Sequence, residues 1–235
     1  MSGNTPLYLV MAAAGLIAAF GTGLFPTRVA AGDLNRPIPA PVLDTANDAA
    51  TEVAVLAGGC FWGQQGVFQH VKGVTRVVSG YSGGAKETAT YEQVASETTG
   101  HAEVVEITFD PRQVSFGTLL QIYFSVAHDP TQLDRQGPDH GPSYRSQVFA
   151  VTPRQAEIAR AYIAQLDATG LFGKPIVTRV EPLTAFYPAE DYHQDYMVRN
   201  PDASYIRVND APKLEALARV WPQHYRPDPV LLARQ

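Results

Sequence analysis

Residues 58–63 read GGCFWG and hold the single cysteine of the 235-residue chain, Cys60. The preceding segment, TEVAVLA at residues 51–57, alternates in the way that is typical of a short buried strand. In the following segment, Phe61 and Phe68 recur at helical spacing. The glycines permit a tight turn between the two elements. The motif is therefore predicted to join a strand to a helix, with the cysteine at the junction.

A cysteine at this junction would face the free N–H groups of the first helical turn. These groups stabilise a thiolate, so we expect a lowered pKa for Cys60. Phe61 and Trp62 follow directly and could form the wall of a small apolar pocket. The alternative is a buried, inert cysteine that packs with two core aromatic residues.

The composition indicates an ordinary globular domain with extensions. The chain is 45% hydrophobic and 17% charged, which is enough apolar material for a core. The net charge is −5, and no long basic run is present, which argues against nucleic acid as the main partner. One cysteine excludes an internal disulfide, a CxxC redox motif and a Cys-rich zinc motif.

The N-terminal part of the chain predicts export. Residues 6–26 contain no charged side chain and are intermediate in length between a signal-peptide core and a membrane span. We therefore predict a signal peptide or membrane anchor over residues 1–31, and a periplasmic or membrane-anchored protein. A disordered linker over residues 32–50, a catalytic domain over residues 51–226 and a tail over residues 227–235 complete the predicted organisation.

The domain itself is predicted to be α+β, with a mixed sheet and helices packed on it. Strands are expected at residues 51–57, 73–81, 101–109, 147–151 and 174–183. Helices are expected after Cys60 and at residues 91–95, 115–127, 152–168 and 211–220. The long Pro- and Gly-containing loop over residues 129–146 is a candidate functional segment, because such loops are uncommon as simple connectors.

A second candidate for chemistry lies on the strand at residues 101–109. With a period of two, Glu103 shares a face with the apolar residues Val105 and Ile107. Desolvation on such a face would raise the pKa of the carboxyl and make it a proton donor near neutral pH. The alternative is that Glu103 faces water at a strand end or pairs with an arginine.

Six motifs occur in a fixed order and together are similar to the peptide methionine sulfoxide reductase A family. They are GCFWG at 59–63, GYSGG at 80–84, TYEQV at 90–94, TGHAEVVEITFDP at 99–111, DHGPSYRS at 139–146 and FYPAEDYHQDY at 186–196. The resemblance covers about residues 53–225. It implies an α/β roll with a ferredoxin-like core and a reductase of methionine-S-sulfoxide in proteins, and it leaves open whether the free amino acid is also a substrate.

The resemblance also implies a role for particular residues. Cys60 would attack the sulfoxide sulfur, and Glu103 would protonate its oxygen. Tyr91 and Tyr144 would hydrogen-bond that oxygen. The substrate methyl group would lie against Phe61 and Trp62, and Asp139 would set the polarity of the pocket.

One departure from many family members concerns the C-terminal segment. Those members carry one or two further cysteines there, whereas residues 200–235 contain none. The resemblance therefore implies a one-cysteine enzyme without a bound cofactor, and we expect this enzyme to be a monomer. Its Cys60 sulfenic acid would be reduced by an external thiol, from a thioredoxin-like protein, from glutaredoxin with glutathione, or from a periplasmic thiol carrier.

Other functions remain open on the residues alone. A thiol peroxidase would use the same Cys60 on hydroperoxides, and a non-catalytic sulfoxide-binding module would only retain the pocket. A Cys–His hydrolase is weaker, because no histidine is tied to Cys60 by spacing. His193 with Asp191 and Asp195 could hold a cation, but their spacing matches no known cage, and we predict no metal site.

Overall fold

The computed structural model describes residue 1, residues 35–44 and residues 49–232. The last two ranges lie in one compact unit, Ala31–Gln235. Apart from Met1, the predicted signal peptide or anchor over residues 1–31 falls outside the described residues. Within the described part of the chain, no helix is both long enough and apolar enough to cross a membrane.

Six strands of residues 49–232 form one mixed sheet. They are β1 (Glu52–Gly58), β2 (Val74–Ser82), β3 (Ala102–Phe109), β6 (Ser146–Ala150), β7 (Arg179–Pro182) and β8 (Tyr187–Pro188), in the order β7-β6-β1-β3-β2-β8. All neighbours pair antiparallel except β6 and β7, which run parallel. Two short strands, β4 (Arg135–Gln136) and β5 (Asp139–His140), form a separate hairpin within the predicted functional loop.

The helices are α1 (Phe61–Gln69), α2 (Tyr91–Val94), α3 (Phe116–Ile122), α4 (Pro153–Thr169), α5 (Tyr196–Arg199) and α6 (Ala211–Val220). Wider π-helical turns extend α3 over Tyr123–Ala127 and precede α6 over Ile206–Asp210. The elements β1, α1, β2, β3, α3 and β6 form a ferredoxin-like core, because their strands lie in the order β6-β1-β3-β2. The predicted α+β class is confirmed.

Local sequence accounts for the helix ends. Ser115 accepts a hydrogen bond from the Thr118 backbone N–H at the start of α3, and Thr152 accepts one from Gln155 at the start of α4. At the other end of α4, Gly170 adopts a left-handed conformation with a φ of 64°. These caps fix where the helices begin and end, so their predicted bounds agree with the structure to within a few residues.

Two expectations from the sequence differ from the structure. The strand predicted over residues 174–183 is shorter, because pairing with β6 begins only at Arg179. Residues 35–44, within the predicted linker, are docked on the domain. Ile38 is buried, the Ile38 carbonyl accepts from Gln121, and Asp44 accepts from the Gly117 backbone N–H. Composition alone does not reveal this packing, because the partners are distant in sequence.

The main core lies between the sheet and the helices. Phe61 and Phe68 of α1 pack there with the inward face of β3, which includes Val105 and Ile107. Helix α1 is buried almost all round, so its three glutamines are buried as well as its aromatic residues. Burial of the whole helix holds the Cys60 end of α1 against the sheet.

Candidate active site

The site forms where β1 ends and β3 begins. These strands are antiparallel neighbours, so the C-terminal end of β1 lies beside the N-terminal end of β3. The residues after Gly58 are therefore close to Glu103. The Phe61 backbone N–H donates to Glu103 Oε2 at 2.9 Å. This bond joins the start of α1 to the carboxyl, and it confirms that Glu103 belongs to the inward face of β3.

Glycine is required on both sides of the CFW tripeptide, because side chains from other elements lie directly against the backbone there. Gly59 has a φ of 89°, and a Cβ built on it would lie 2.5 Å from the Gln136 side chain. A Cβ on Gly63 would lie 2.1 Å from Asp210 Oδ1. The motif therefore lets the β4 strand and the segment before α6 approach the backbone around Cys60.

Cys60 is the residue immediately before α1 and is 8% exposed. Burial raises the pKa of its thiol well above the ordinary value, and the nearby carboxyls Glu103 and Asp210 raise it further. The Trp62 backbone N–H and Lys213 act in the opposite direction but do not compensate. The expected lowering of the thiol pKa is therefore wrong for this structure, because desolvation outweighs the helix terminus.

Glu103 is 4% exposed, and burial raises the pKa of its carboxyl to about 8. The single backbone donor, Phe61, lowers this pKa, while the nearby Asp139 and Glu97 raise it. The carboxyl is consequently a neutral acid at pH 7, in agreement with the strand pattern. The resting site holds a thiol and a carboxylic acid, both protonated.

Two tyrosines predicted for the site are coupled to these groups. Tyr91 begins α2, and Tyr144 ends a short 3₁₀ turn over Pro142–Tyr144. Burial raises the pKa of both phenols, and the charges that Glu103, Cys60 and Asp139 carry when they are ionised raise it further. Both hydroxyls therefore stay protonated and are available as hydrogen-bond donors beside the acid.

Phe61 and Trp62 form an aromatic wall, and residues more than 100 positions later in the sequence contact it. The Trp62 indole N–H donates to His193 Nδ1 at 3.1 Å, and the Trp62 ring stacks on Tyr196 with a centroid distance of 3.8 Å. The Phe61 ring lies 5.0 Å from the His193 ring. His193 is 2% exposed, so the orientation of the wall is fixed by a buried contact.

Asp139 lies on β5 and is half-buried. It accepts a hydrogen bond from the Tyr205 hydroxyl, and the Tyr205 ring meets Trp62 edge-on at 5.9 Å. The structure thus brings all seven predicted site residues into one network of contacts and charge interactions: Cys60, Phe61, Trp62, Tyr91, Glu103, Asp139 and Tyr144.

Residue-level reasoning missed several members of this network, and four of them act close to the motif: His193, Tyr205, Asp210 and Lys213. His193 was considered only as a cation ligand, but its ring instead bonds Trp62, and Asp195 bonds Gln69 and Arg199. No group of three or more His, Cys, Asp or Glu among the described residues could hold a metal ion. Of the four, only His193 lay within a quoted motif, FYPAEDYHQDY.

The family model for peptide methionine sulfoxide reductase matches residues 52–225. The chain belongs to the peptide methionine sulfoxide reductase family. The matched range contains every residue of the site described above, and it confirms the family that the six motifs indicate.

Individual relatives agree with this membership. Peptide methionine sulfoxide reductase MsrA 2 of Mesorhizobium japonicum is 57% identical over 182 residues, which are 77% of this chain and 93% of the relative. MsrA 2 of Synechocystis is 52% identical over 184 residues, which are 77% and 86% of the two chains. The predicted enzyme class, a peptide-methionine (S)-S-oxide reductase, is confirmed by this homology.

Solved structures support the same fold. Methionine sulfoxide reductase A of Corynebacterium diphtheriae superposes with a TM-score of 0.57 at 36% identity, covering 71% of this chain and 84% of that one. The reduced form of Mxr1 from Saccharomyces cerevisiae gives a TM-score of 0.58 at 30% identity, covering 69% and 92%. The arrangement of helices on a six-stranded sheet is therefore that of this family.

Proposed function

We propose that Cys60 and Glu103 carry out the reduction together, with Cys60 as nucleophile and Glu103 as acid. The Cys60 sulfur bonds to the sulfoxide sulfur, and the Glu103 proton goes to the sulfoxide oxygen. The S–O bond of the substrate then breaks, and the oxygen leaves as water with the proton from Glu103 and the proton from the Cys60 thiol, so that Cys60 is bonded to a sulfonium sulfur. A water molecule attacks the Cys60 sulfur, the S–S bond breaks with its electron pair on the departing methionine thioether, and Cys60 keeps the hydroxyl as a sulfenic acid. The remaining proton of that water returns to Glu103, so no net proton is consumed.

The observation that supports this assignment most strongly is the environment of Glu103. A sulfoxide oxygen is a poor leaving group until it is protonated, so a neutral acid is needed at pH 7. Burial raises the pKa of Glu103 to about 8, which keeps that proton in place. Deprotonation of Cys60 is costly in the empty site, so we expect it only when the positive end of the S–O dipole lies beside the thiol.

The other residues would bind and orient the sulfoxide. Tyr91 and Tyr144 are protonated phenols coupled to Glu103, and they would donate to the same oxygen. Phe61 and Trp62 would receive the methyl group of the substrate. The sulfenic acid would then be reduced by an external thiol, because Cys60 is the only cysteine in the chain.

Single-turnover reduction of the two methionine sulfoxide epimers tests this function. Prereduced protein without added thiol is mixed with each epimer in a short peptide, and Cys60 is trapped with a sulfenic-acid reagent. We expect one equivalent of methionine from the S epimer, a labelled Cys60 and no reaction of the R epimer. The Cys60→Ser variant is the control and should give neither product.

A thiol peroxidase would behave differently in the same assay. It would give no methionine from either epimer, but hydroperoxide would produce the labelled Cys60. A non-catalytic binding module would retain affinity for the sulfoxide peptide and would yield no sulfenic acid with the substrate. Either result would contradict the proposed roles of Cys60 and Glu103.

We also propose that the reductase acts outside the cytoplasm. The support is the uncharged segment at residues 6–26, followed by Val29-Ala30-Ala31, which is a suitable small-residue cleavage site. Mass spectrometry of the mature protein, together with cell fractionation, tests this. A mature protein that keeps its N-terminus and remains in the cytoplasmic fraction would contradict export.

A further inference from the structure

The second half of the catalytic cycle requires a thiol to reach a buried sulfur atom. This reasoning rests on the proposed function, in which Cys60 becomes a sulfenic acid. Cys60 is 8% exposed, and Trp62, Tyr144 and Tyr205 are partly buried around it. An incoming thiol must therefore approach past the same side chains that receive the methionine sulfoxide, and it experiences the same charges.

Those charges are mostly negative. Asp139 carries no cation in the described structure, and its side-chain partner is the hydroxyl of Tyr205. Glu97 bonds the backbone N–H and the hydroxyl of Ser143, so it too is held by neutral donors. Both carboxylates raise the pKa of Glu103. Asp139 also lies beside the cysteine in the fold, because it pairs with Gln136 of β4, whose side chain lies against Gly59.

The only cation among the groups that act on Cys60 is paired already. Lys213 bonds Asp210 Oδ1 at 3.0 Å, and the Asp210 side chain is completely buried. The second oxygen, Asp210 Oδ2, is buried without a hydrogen-bond partner, and the charge of Asp210 raises the pKa of Cys60. Lys213 therefore compensates Asp210. Arg145 interacts electrostatically with Glu97, so Asp139 is the carboxylate of this described group that no cation balances.

We propose that the thiol that reduces Cys60 carries no net negative charge next to its sulfur. The thiol sulfur attacks the sulfenic sulfur, a mixed disulfide forms, and the oxygen leaves as water with the thiol proton and the proton already on it. A second thiol then releases Cys60 as a thiol and forms an external disulfide. Two thiols and one sulfenic acid thus give one thiol, one disulfide and one water.

The negative field acts on the attacking sulfur in this step. An anionic group close to that sulfur would be repelled by Asp139, whereas an ammonium group would be attracted. Among the reductants considered above, this favours protein dithiols that have no anionic group next to the reactive sulfur. Small thiols with free carboxylates, such as glutathione, are disfavoured.

Three small thiols of similar length test the proposal: cysteamine, which is cationic, 2-mercaptoethanol, which is neutral, and 2-mercaptoethanesulfonate, which is anionic. Each rate of loss of the Cys60 sulfenic acid is divided by the rate of the same thiol with an uncharged small disulfide, which corrects for intrinsic reactivity. We expect the corrected cysteamine rate to exceed the sulfonate rate by about tenfold at low salt. This ratio should shrink as ionic strength rises from roughly 0.01 M to about 1 M.

Two variants distinguish a local field from the overall charge. Asp139→Asn should reduce the ratio by roughly threefold or more, since one unit of charge close to the thiol is removed. Glu157→Gln removes an exposed carboxylate on α4 and should leave the ratio unchanged. Generating the sulfenic acid with either S-sulfoxide or hydrogen peroxide separates this step from the reductase reaction, so that failure of one does not hide the other.

Three results would overturn the proposal. The first is a corrected sulfonate rate equal to or greater than that of cysteamine. The second is a ratio that Asp139→Asn leaves unchanged. The third is no reduction of the sulfenic acid by any of the three thiols, which would mean that Cys60 is closed to external thiols of every charge.

Discussion

Two buried carboxyl groups lie against helix α1, and they are supported very differently. Asp195 is 1% exposed and accepts from Gln69 Nε2 at 2.7 Å and from Arg199 Nη2 at 2.9 Å. A third donor, the Leu232 backbone N–H, lies 3.4 Å away. Glu103 is 4% exposed and accepts from a single donor, the Phe61 backbone N–H.

The difference in donors separates a structural carboxylate from a chemical one. A buried carboxylate with several donors and a cation keeps its charge at modest cost, and it fixes the elements that supply the donors. A buried carboxyl with one donor is more stable when protonated, so the pKa of Glu103 rises to about 8. The scarcity of partners around Glu103 thus keeps its carboxyl protonated, as the proposed role of proton donor requires.

The largest expected effect is on catalysis by Glu103→Gln. Glutamine retains the acceptor for Phe61 but removes the acidic proton, so the single-turnover rate should fall by about 10²–10⁴-fold. The measurement is methionine formed from the S-sulfoxide peptide in rapid-quench experiments. Asp195→Asn is the matched control, and it should change this rate by less than about threefold. A similar loss in both variants would contradict the distinction drawn above.

The same substitution should raise the free energy of unfolding at alkaline pH. Glu103 is protonated in the folded state up to a pKa of about 8, whereas in the unfolded chain it ionises near its ordinary 4.5. Its contribution therefore favours folding most below pH 4.5 and is lost as the pH rises to 8. Glutamine does not ionise, so the Glu103→Gln variant does not lose this contribution to the free energy of unfolding as the pH rises.

Urea unfolding of both proteins across this pH range checks the sign. We expect the variant to gain roughly 4 kcal/mol relative to the parent between pH 5 and pH 9. A difference in unfolding free energy that stays constant with pH would show that Glu103 is not protonated in the folded protein.

Asp195→Asn is expected to have the opposite effect on stability. Asparagine tolerates the left-handed backbone at this position, where φ is 55°, but it removes the charge that Arg199 and Gln69 share. The free energy of unfolding should fall by about 2 kcal/mol, as measured with urea at pH 7. Asp191→Asn, at an exposed position four residues earlier, should change it by less than about 0.5 kcal/mol.

A smaller effect is expected from loss of the acceptor behind the aromatic wall. His193→Leu removes the partner of the Trp62 indole, so KM for the sulfoxide peptide should rise about tenfold, with a lesser change in kcat. His193→Asn places an oxygen near the position of Nδ1 and should restore most of the KM. Equal KM values for the two variants would indicate that the hydrogen bond to Trp62 does not orient the wall.

The smallest expected effect concerns the donor to Asp139. Tyr205→Phe removes the hydroxyl that bonds this carboxylate, and the single-turnover rate should fall by about fivefold. Tyr192→Phe changes a tyrosine that is 61% exposed and serves as the comparison, with an expected rate close to that of the parent. A Tyr205→Phe rate equal to the Tyr192→Phe rate would remove Tyr205 from the functional site.

Much of the fold follows from patterns that are local in sequence. The alternation around Glu103 predicted β3 and its inward face, and the caps at Ser115, Thr152 and Gly170 predicted the ends of two helices. The predicted strand over residues 174–183 was too long, because its extent depends on where β6 pairs with it. Docking of Ile38 was missed for the same reason, since Gln121 binds it from 83 positions away.

The sequence by itself determined the family, and it predicted Cys60 as nucleophile, Glu103 as acid and Phe61 with Trp62 as the aromatic wall, because each lies in a short motif whose residue types have specific chemistry. Tertiary structure decided how those groups are protonated and held. Cys60 and Glu103 are desolvated by surrounding elements, and Trp62 is oriented by a histidine 131 positions away. A thiol at a helix terminus therefore has a raised pKa in this protein, because desolvation depends on the packing of the whole domain whereas the terminus is a local feature.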